Sequence, residues 1–70
     1  MERLLTVDEA AEAMNTSSRF VRRLVAERRI TFTRLGRHVR IAAADVEAYV
    51  EAGRVEPLTA ASVWRVRARV

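Results

Sequence analysis

Thr6-Val7-Asp8-Glu9-Ala10-Ala11-Glu12-Ala13-Met14-Asn15-Thr16-Ser17-Ser18-Arg19-Phe20-Val21-Arg22-Arg23-Leu24-Val25 is the stretch that decides the fold. Thr6 and Glu9 have capping-box spacing: a hydroxyl to accept from the Glu9 amide, and a carboxylate to reach back to the Thr6 amide. A helix is expected from there. Val7, Ala10, Ala11 and Met14 recur at i, i+3, i+4 and i+7 as one apolar face, with Asp8, Glu9 and Glu12 off it. Asn15 follows the last apolar position, and asparagine takes the left-handed conformation that ends helices more readily than other non-glycine residues. Thr16, Ser17 and Ser18 then offer N-cap hydroxyls for a second helix. Its buried stripe is Val21, Leu24 and Val25, which leaves Ser18, Arg19, Arg22, Arg23 and Ala26 on other faces. The result is two short helices joined by a tight turn, with three arginines projecting from the second.

Toward the C-terminus the period changes. From Ile30 the pattern alternates, placing Thr33, Leu35, Val39 and Ile41 on one strand face and Phe32, Arg34 and Arg40 on the other, around a Gly36-Arg37-His38 turn. Residues 43–52 return to helical spacing, with Val46, Tyr49 and Val50 as the apolar face and Asp45, Glu47 and Glu51 off it, before Gly53 ends the helix. The fold expected is mainly α with a small β-hairpin: three short helices plus a basic wing over residues 1–53. Residues 54–70 form a basic tail. There Leu58, Ala61 and Trp64 fit a helical stripe, whereas Trp64, Val66, Ala68 and Val70 alternate with Arg65, Arg67 and Arg69 like a strand. A short helix, a strand and disorder are all open for it.

Seventy residues without cysteine support one small core and no disulfide framework. Alanine supplies 12 of the apolar residues, so the few large ones matter disproportionately. No run approaches the roughly 20 apolar residues that span a bilayer, and the N-terminus lacks a signal-peptide pattern, so a cytoplasmic location is expected. All 13 basic residues are arginine, and they are segregated. Residues 17–41 hold eight arginines against Glu27 alone, between flanking segments that are net acidic on both sides. Such a block is the electrostatic footprint of a nucleic-acid binder, since neutralised phosphates dominate that affinity. A solvated basic face is the alternative.

Catalysis is not expected. The chain has no cysteine nucleophile and no glycine-rich phosphate loop, and its carboxylates lie on exposed helix faces or in the capping box. His38, the single histidine, has no cysteine to join in a zinc site, and no metal or other cofactor is implied. Duplex DNA is the expected partner. An α-helix fits the major groove, and the guanidinium fork pairs with guanine O6 and N7, which makes Arg19, Arg22 and Arg23 the leading groove contacts. The Ser17 and Ser18 hydroxyls at the helix start suit a backbone phosphate. Arg34, Gly36, Arg37, His38 and Arg40 form a hairpin that can reach the adjacent minor groove or its phosphates. His38 reads as a surface turn residue or a weak phosphate contact in preference to a pH-sensitive group. In the tail, Trp64, Arg65, Arg67 and Arg69 are candidate contacts for a protein partner, a neighbouring copy or DNA, with packing of Trp64 on the third helix as the alternative. Phe20 and Phe32 are read as local packing in preference to anchors for the tail, a partner or DNA.

Three blocks in order, Leu4-Leu5-Thr6-Val7-Asp8-Glu9-Ala10-Ala11, Ser17-Ser18-Arg19-Phe20-Val21-Arg22-Arg23-Leu24 and Arg34-Leu35-Gly36-Arg37-His38-Val39-Arg40-Ile41, resemble the excisionase family of winged helix-turn-helix domains, related to the DNA-binding domain of MerR-type regulators. The resemblance covers about Leu4 to Ala52. It implies that the helix beginning near Ser17 enters the major groove and that the hairpin is the wing. Where many relatives have glycine this chain has Asn15 and Arg28, and prolines usual near Thr31 and Ala42 are absent; the Arg28 change implies either a different turn into the wing or strain in it. MerR-type regulators continue into a long dimerisation helix, for which the residues after Gly53 leave little room. The resemblance is therefore to phage excisionases (recombination directionality factors), which bind and bend attachment-site DNA and direct an integrase, a tyrosine or serine recombinase, toward excision. Cooperative self-association on DNA is expected. A small transcriptional repressor using the same surface is the first alternative, and a protein-binding adaptor is the second.

Overall fold

The computed structural model describes residues 1–58. In chain order they form β1 (Leu4–Leu5), α1 (Val7–Ala13), α2 (Ser18–Ala26), β2 (Thr33–Leu35), β3 (His38–Ala42) and α3 (Ala43–Ala52). The three strands make one antiparallel sheet in the order β1-β3-β2. The three helices and the wing are thus as expected, and β1 is an addition to the sequence reading.

The capping box forms in full. The Glu9 amide donates to Thr6 Oγ1 at 3.0 Å and the Thr6 amide to Glu9 Oε1 at 2.9 Å. Both α1 and α2 end in Schellman motifs, which satisfy carbonyls that the helix leaves unpaired. After α1 the Asn15 amide donates to the Glu12 carbonyl and the Thr16 amide to the Ala11 carbonyl, with Asn15 left-handed at φ 55°. After α2 the Arg28 amide donates to the Val25 carbonyl and the Arg29 amide to the Leu24 carbonyl, with Arg28 at φ 54°. The strain expected at Arg28 is therefore present: a long side chain occupies a conformation that costs an L residue roughly 1–2 kcal/mol.

The core is Leu5, Ala10, Ala11, Val21, Leu24, Ile30, Ile41 and Val46, with Leu24, Ile41 and Val21 the largest fully buried side chains. Val7, Met14, Val25, Phe32, Ala43 and Tyr49 pack partly buried against it. Every element except β2 contributes a buried residue. Phe32 is thus local packing, as read from the sequence, whereas Phe20 is 36% exposed and does not join the core.

The hairpin register corrects the expected faces. Leu35 pairs with His38, Arg34 with Val39 and Thr33 with Arg40, so the connection is the two-residue turn Gly36-Arg37 and His38 begins β3. Directly paired residues share a face. Arg34 therefore lies on the Val39 and Ile41 side, and Thr33 and Leu35 lie on the opposite side, with Leu35 48% exposed. The cause is parity: shortening the turn by one residue flips one strand relative to the other. Phe32 and Leu35 are three apart and cannot both face the core, and Phe32 occupies that side. Gly36 sits at φ +61° as the first turn residue, the position where a tight hairpin requires glycine.

Two further differences concern α3. Its apolar face is Ala43, Val46 and Tyr49, while Val50 is 51% exposed rather than packed, because α1 and β3 cover only one narrow side of the helix. Gly53 does follow the last helical residue, but at φ −90° and not in the left-handed region. At its other end α3 has no side-chain cap of its own. The N-terminal segment supplies one instead: the Ala44 amide donates to Glu2 Oε1 at 2.6 Å and the Ala43 amide to the Arg3 carbonyl at 3.0 Å. Residues 54–58 are exposed and carry no regular structure. Trp64, Arg65, Arg67 and Arg69 lie outside the described residues.

Candidate nucleic-acid interface

α2 presents its basic residues because its stripe faces inward. Val21 and Leu24 are fully buried, and Arg19, Arg22 and Arg23 are exposed on the remaining surface. Helical spacing puts Arg19 and Arg23 on one outer ridge, four residues apart, and turns Arg22 to the flank beside the hairpin. On that flank an open cleft is lined by Asp8 from α1, by Arg22, Val25 and Ala26 from α2, and by Arg34, Arg37, His38, Val39 and Arg40 from the hairpin. On the other flank Ser17, Arg19, Phe20 and Arg23 line a shallow hollow. The fold thus brings Arg22 together with the wing arginines and keeps Arg19 and Arg23 on the adjacent ridge.

The ion pairs lie elsewhere. Arg3 meets Glu9 at 3.3 Å, Arg29 meets Glu27 at 3.5 Å and Arg54 meets Glu51 at 3.7 Å, all exposed. Among the described residues none of Arg19, Arg22, Arg23, Arg34, Arg37 and Arg40 has a carboxylate partner. Arg40 alone is held, its Nη1 donating to the Val39 carbonyl at 2.8 Å in a partly buried position. The remaining guanidiniums are charges whose natural complement is an external anion.

The two serines, alike in sequence, differ in the structure. Ser17 is the N-cap of α2 and its Oγ accepts from the Phe20 amide at 3.1 Å, which leaves its own hydroxyl proton free to donate. Ser18 Oγ donates to the Asp8 carboxylate at the start of α1. That proton is committed, and an acid stands beside it, so Ser18 is poorly disposed toward a phosphate and Ser17 well disposed. The Asp8 contact joins positions ten apart on different helices, and no spacing rule announces it. Glu9 titrates below the usual glutamate range, chiefly because the Thr6 amide donates to its carboxylate, with Arg3 adding to the effect.

A helix-turn-helix domain family model matches residues 4–54, which is most of the chain and includes every element described above. The chain belongs to this helix-turn-helix family. No curated protein and no solved structure matches it significantly. In helix-turn-helix domains the second helix is the one that enters the major groove while the first crosses the backbone. Here the second helix is α2, and the family supports sequence-specific DNA binding, typically without enzymatic activity. Among the described residues no helix is long and apolar enough to cross a membrane.

Proposed function

We propose that this helix-turn-helix protein is an excisionase-type architectural factor: it binds attachment-site DNA, bends it and directs an integrase toward excision. α2 lies in the major groove, with Arg19, Arg22 and Arg23 reaching base edges and phosphates and Ser17 donating to the backbone. The wing, through Arg34, Gly36, Arg37, His38 and Arg40, grips the neighbouring minor groove or its phosphates. The observation that carries the binding surface is the set of guanidiniums of Arg22, Arg34, Arg37 and Arg40, which line one cleft from two separate elements and have no carboxylate partner among the described residues. The excisionase role is supported by the three sequence blocks that resemble that family.

The mechanism follows from two grips on one duplex. Neutralising phosphates on one side of DNA removes repulsion there and favours bending toward the protein. Smoothly bending a 20–30 bp site by 40–90° costs of order 1–6 kcal/mol, more than a single small module supplies comfortably, so several copies on adjacent sites share it. Strand exchange belongs to the integrase.

Gel shifts on attachment-site duplexes combined with an in vitro excision assay test this reading. Steep salt dependence, cooperative loading and a shift of the integrase from integration to excision are expected. Tight binding with unaltered integrase direction, accompanied by promoter occlusion, overturns the excisionase role in favour of a repressor. In the variant lacking Arg19, Arg22 and Arg23, collapse of duplex binding is expected, whereas a protein partner that is still bound favours the adaptor, whose contacts are the basic wing and the tail aromatic.

A further inference from the structure

We infer that Phe20 is a specificity-determining residue that reads the 5-methyl group of thymine at the major-groove edge. This rests on the assignment of α2 as the groove-entering helix, and it adds an apolar contact to a basic surface.

Phe20 stands apart from the other apolar residues of α2. Val21 and Leu24 are fully buried, whereas Phe20 is 36% exposed and does not pack against the core. Phe32, the other phenylalanine, does. An aromatic residue that keeps 36% of its surface in water among arginines forgoes burial that a polar residue at the same position would not need.

Its placement is fixed and its neighbours are informative. The Phe20 amide is tied to the Ser17 hydroxyl at 3.1 Å, so the residue lies in the first turn of α2, the part of such a helix that comes closest to the bases. The hollow around it is lined by Ser17, Arg19 and Arg23, on the flank away from the wing cleft. Arginine forks pair with guanine O6 and N7, and a phosphate has nothing to offer a phenyl ring. The apolar group that the major groove does present is the thymine methyl. Arg19 and Arg23 on the ridge with Phe20 beside them therefore match a guanine with a thymine close by.

The test uses the full chain. Duplexes are selected from a random-sequence pool, and each thymine of the selected site is then replaced by uracil, which lacks only the methyl group, for the wild-type protein and for Phe20→Ala. At one position uracil is expected to weaken wild-type binding about fourfold, the worth of one buried methyl, and to leave the already weaker Phe20→Ala essentially unchanged. Phe20→Leu, which keeps an apolar contact, should retain part of the methyl sensitivity. Wild-type binding indifferent to every uracil overturns the inference without reference to any variant. So does equal methyl sensitivity in wild type and Phe20→Ala, or a variant that loses only cooperativity, which would assign Phe20 to a contact between copies. Failure of the wild-type chain to retain any duplex overturns the DNA-binding reading itself. Retention that depends on Arg19 and Arg23 but shows no methyl effect removes only the role of Phe20.

Discussion

α2 and the β2–β3 hairpin both carry arginines with no carboxylate partner among the described residues, but the two elements are anchored in different ways. α2 has a side-chain cap at one end, a Schellman motif at the other, and two fully buried residues beneath its basic surface. β2 has no buried residue, and its place depends on pairing with β3 and on a turn that one glycine permits. In the helix, stability and proposed recognition are divided between two faces of one element. In the hairpin they are divided between two strands, with β3 as the stem and β2 and the tip as the arm. The helix arginines are thus presented on an element packed directly on the core, whereas Arg34 and Arg37 stand on an arm held in place through β3.

The same residue type on the two elements gives the widest contrast. Leu24→Ala empties the centre of the core and is expected to cost about 2–5 kcal/mol, enough to unfold much of a domain this small, whereas Leu35→Ala on β2 should stay within about 0.5 kcal/mol. Thermal melts by circular dichroism read both; comparable losses would break the contrast. Next in size is the electrostatic comparison. Replacing Arg19, Arg22 and Arg23 together should leave the melt unchanged and reduce the slope of log affinity against log salt by up to about 0.9 per phosphate contact removed. Arg34→Ala with Arg37→Ala should reduce it less. A larger effect from the wing pair would reverse the ranking of the two elements.

The left-handed turns sharpen the comparison further, because Arg28 is where α2 hands over to the hairpin. Arg28→Gly relieves a real backbone strain and is expected to raise stability by about 1 kcal/mol, while Asn15→Gly should change it by only a few tenths, asparagine already tolerating that conformation. The smallest expected effect is on the acid side of the stability profile. Glu9 has a lowered folded-state pKa, so its contribution is complete above the unfolded value and is lost as pH falls through the folded one. Glu9→Gln should flatten that acid limb, and an unchanged limb would show that the capping box is not its source.

Where the local rules were self-sufficient, the chain could be read directly. The Thr6 and Glu9 capping box, the left-handed Asn15 and the Val21 and Leu24 stripe all depend on residues within one turn of each other. The features that escaped depend on distant partners. β1 is two residues long and exists because Leu5 pairs with Ile41, and α3 is capped by Glu2, far away in the chain. Alternation with apolar Leu35 on the inner face implies a three-residue turn, whereas the pairing of Leu35 with His38 leaves only Gly36 and Arg37 between the strands. On the candidate interface, the basic residues were legible from charge and helical period. The division of labour between Ser17 and Ser18 was not, because Asp8 reaches Ser18 only once the two helices are packed.

The stitching of residues 2–5 onto β3 and α3 has a kinetic consequence. Pairing Leu4 with Ala42 closes α1, α2 and the hairpin into one long loop, whereas the α1–α2 turn and the β2–β3 hairpin close over short segments. Loop-closure entropy therefore makes β1 the latest strand to dock during folding and the earliest to leave. Its departure would uncover Ile41 and release the Ala43 and Ala44 amides in a single event, while α1 and α2 stay packed on each other. Native-state hydrogen exchange should accordingly show residues 43 and 44 opening as one unit below the free energy of global unfolding, so that this four-residue clasp sets the lifetime of the closed domain.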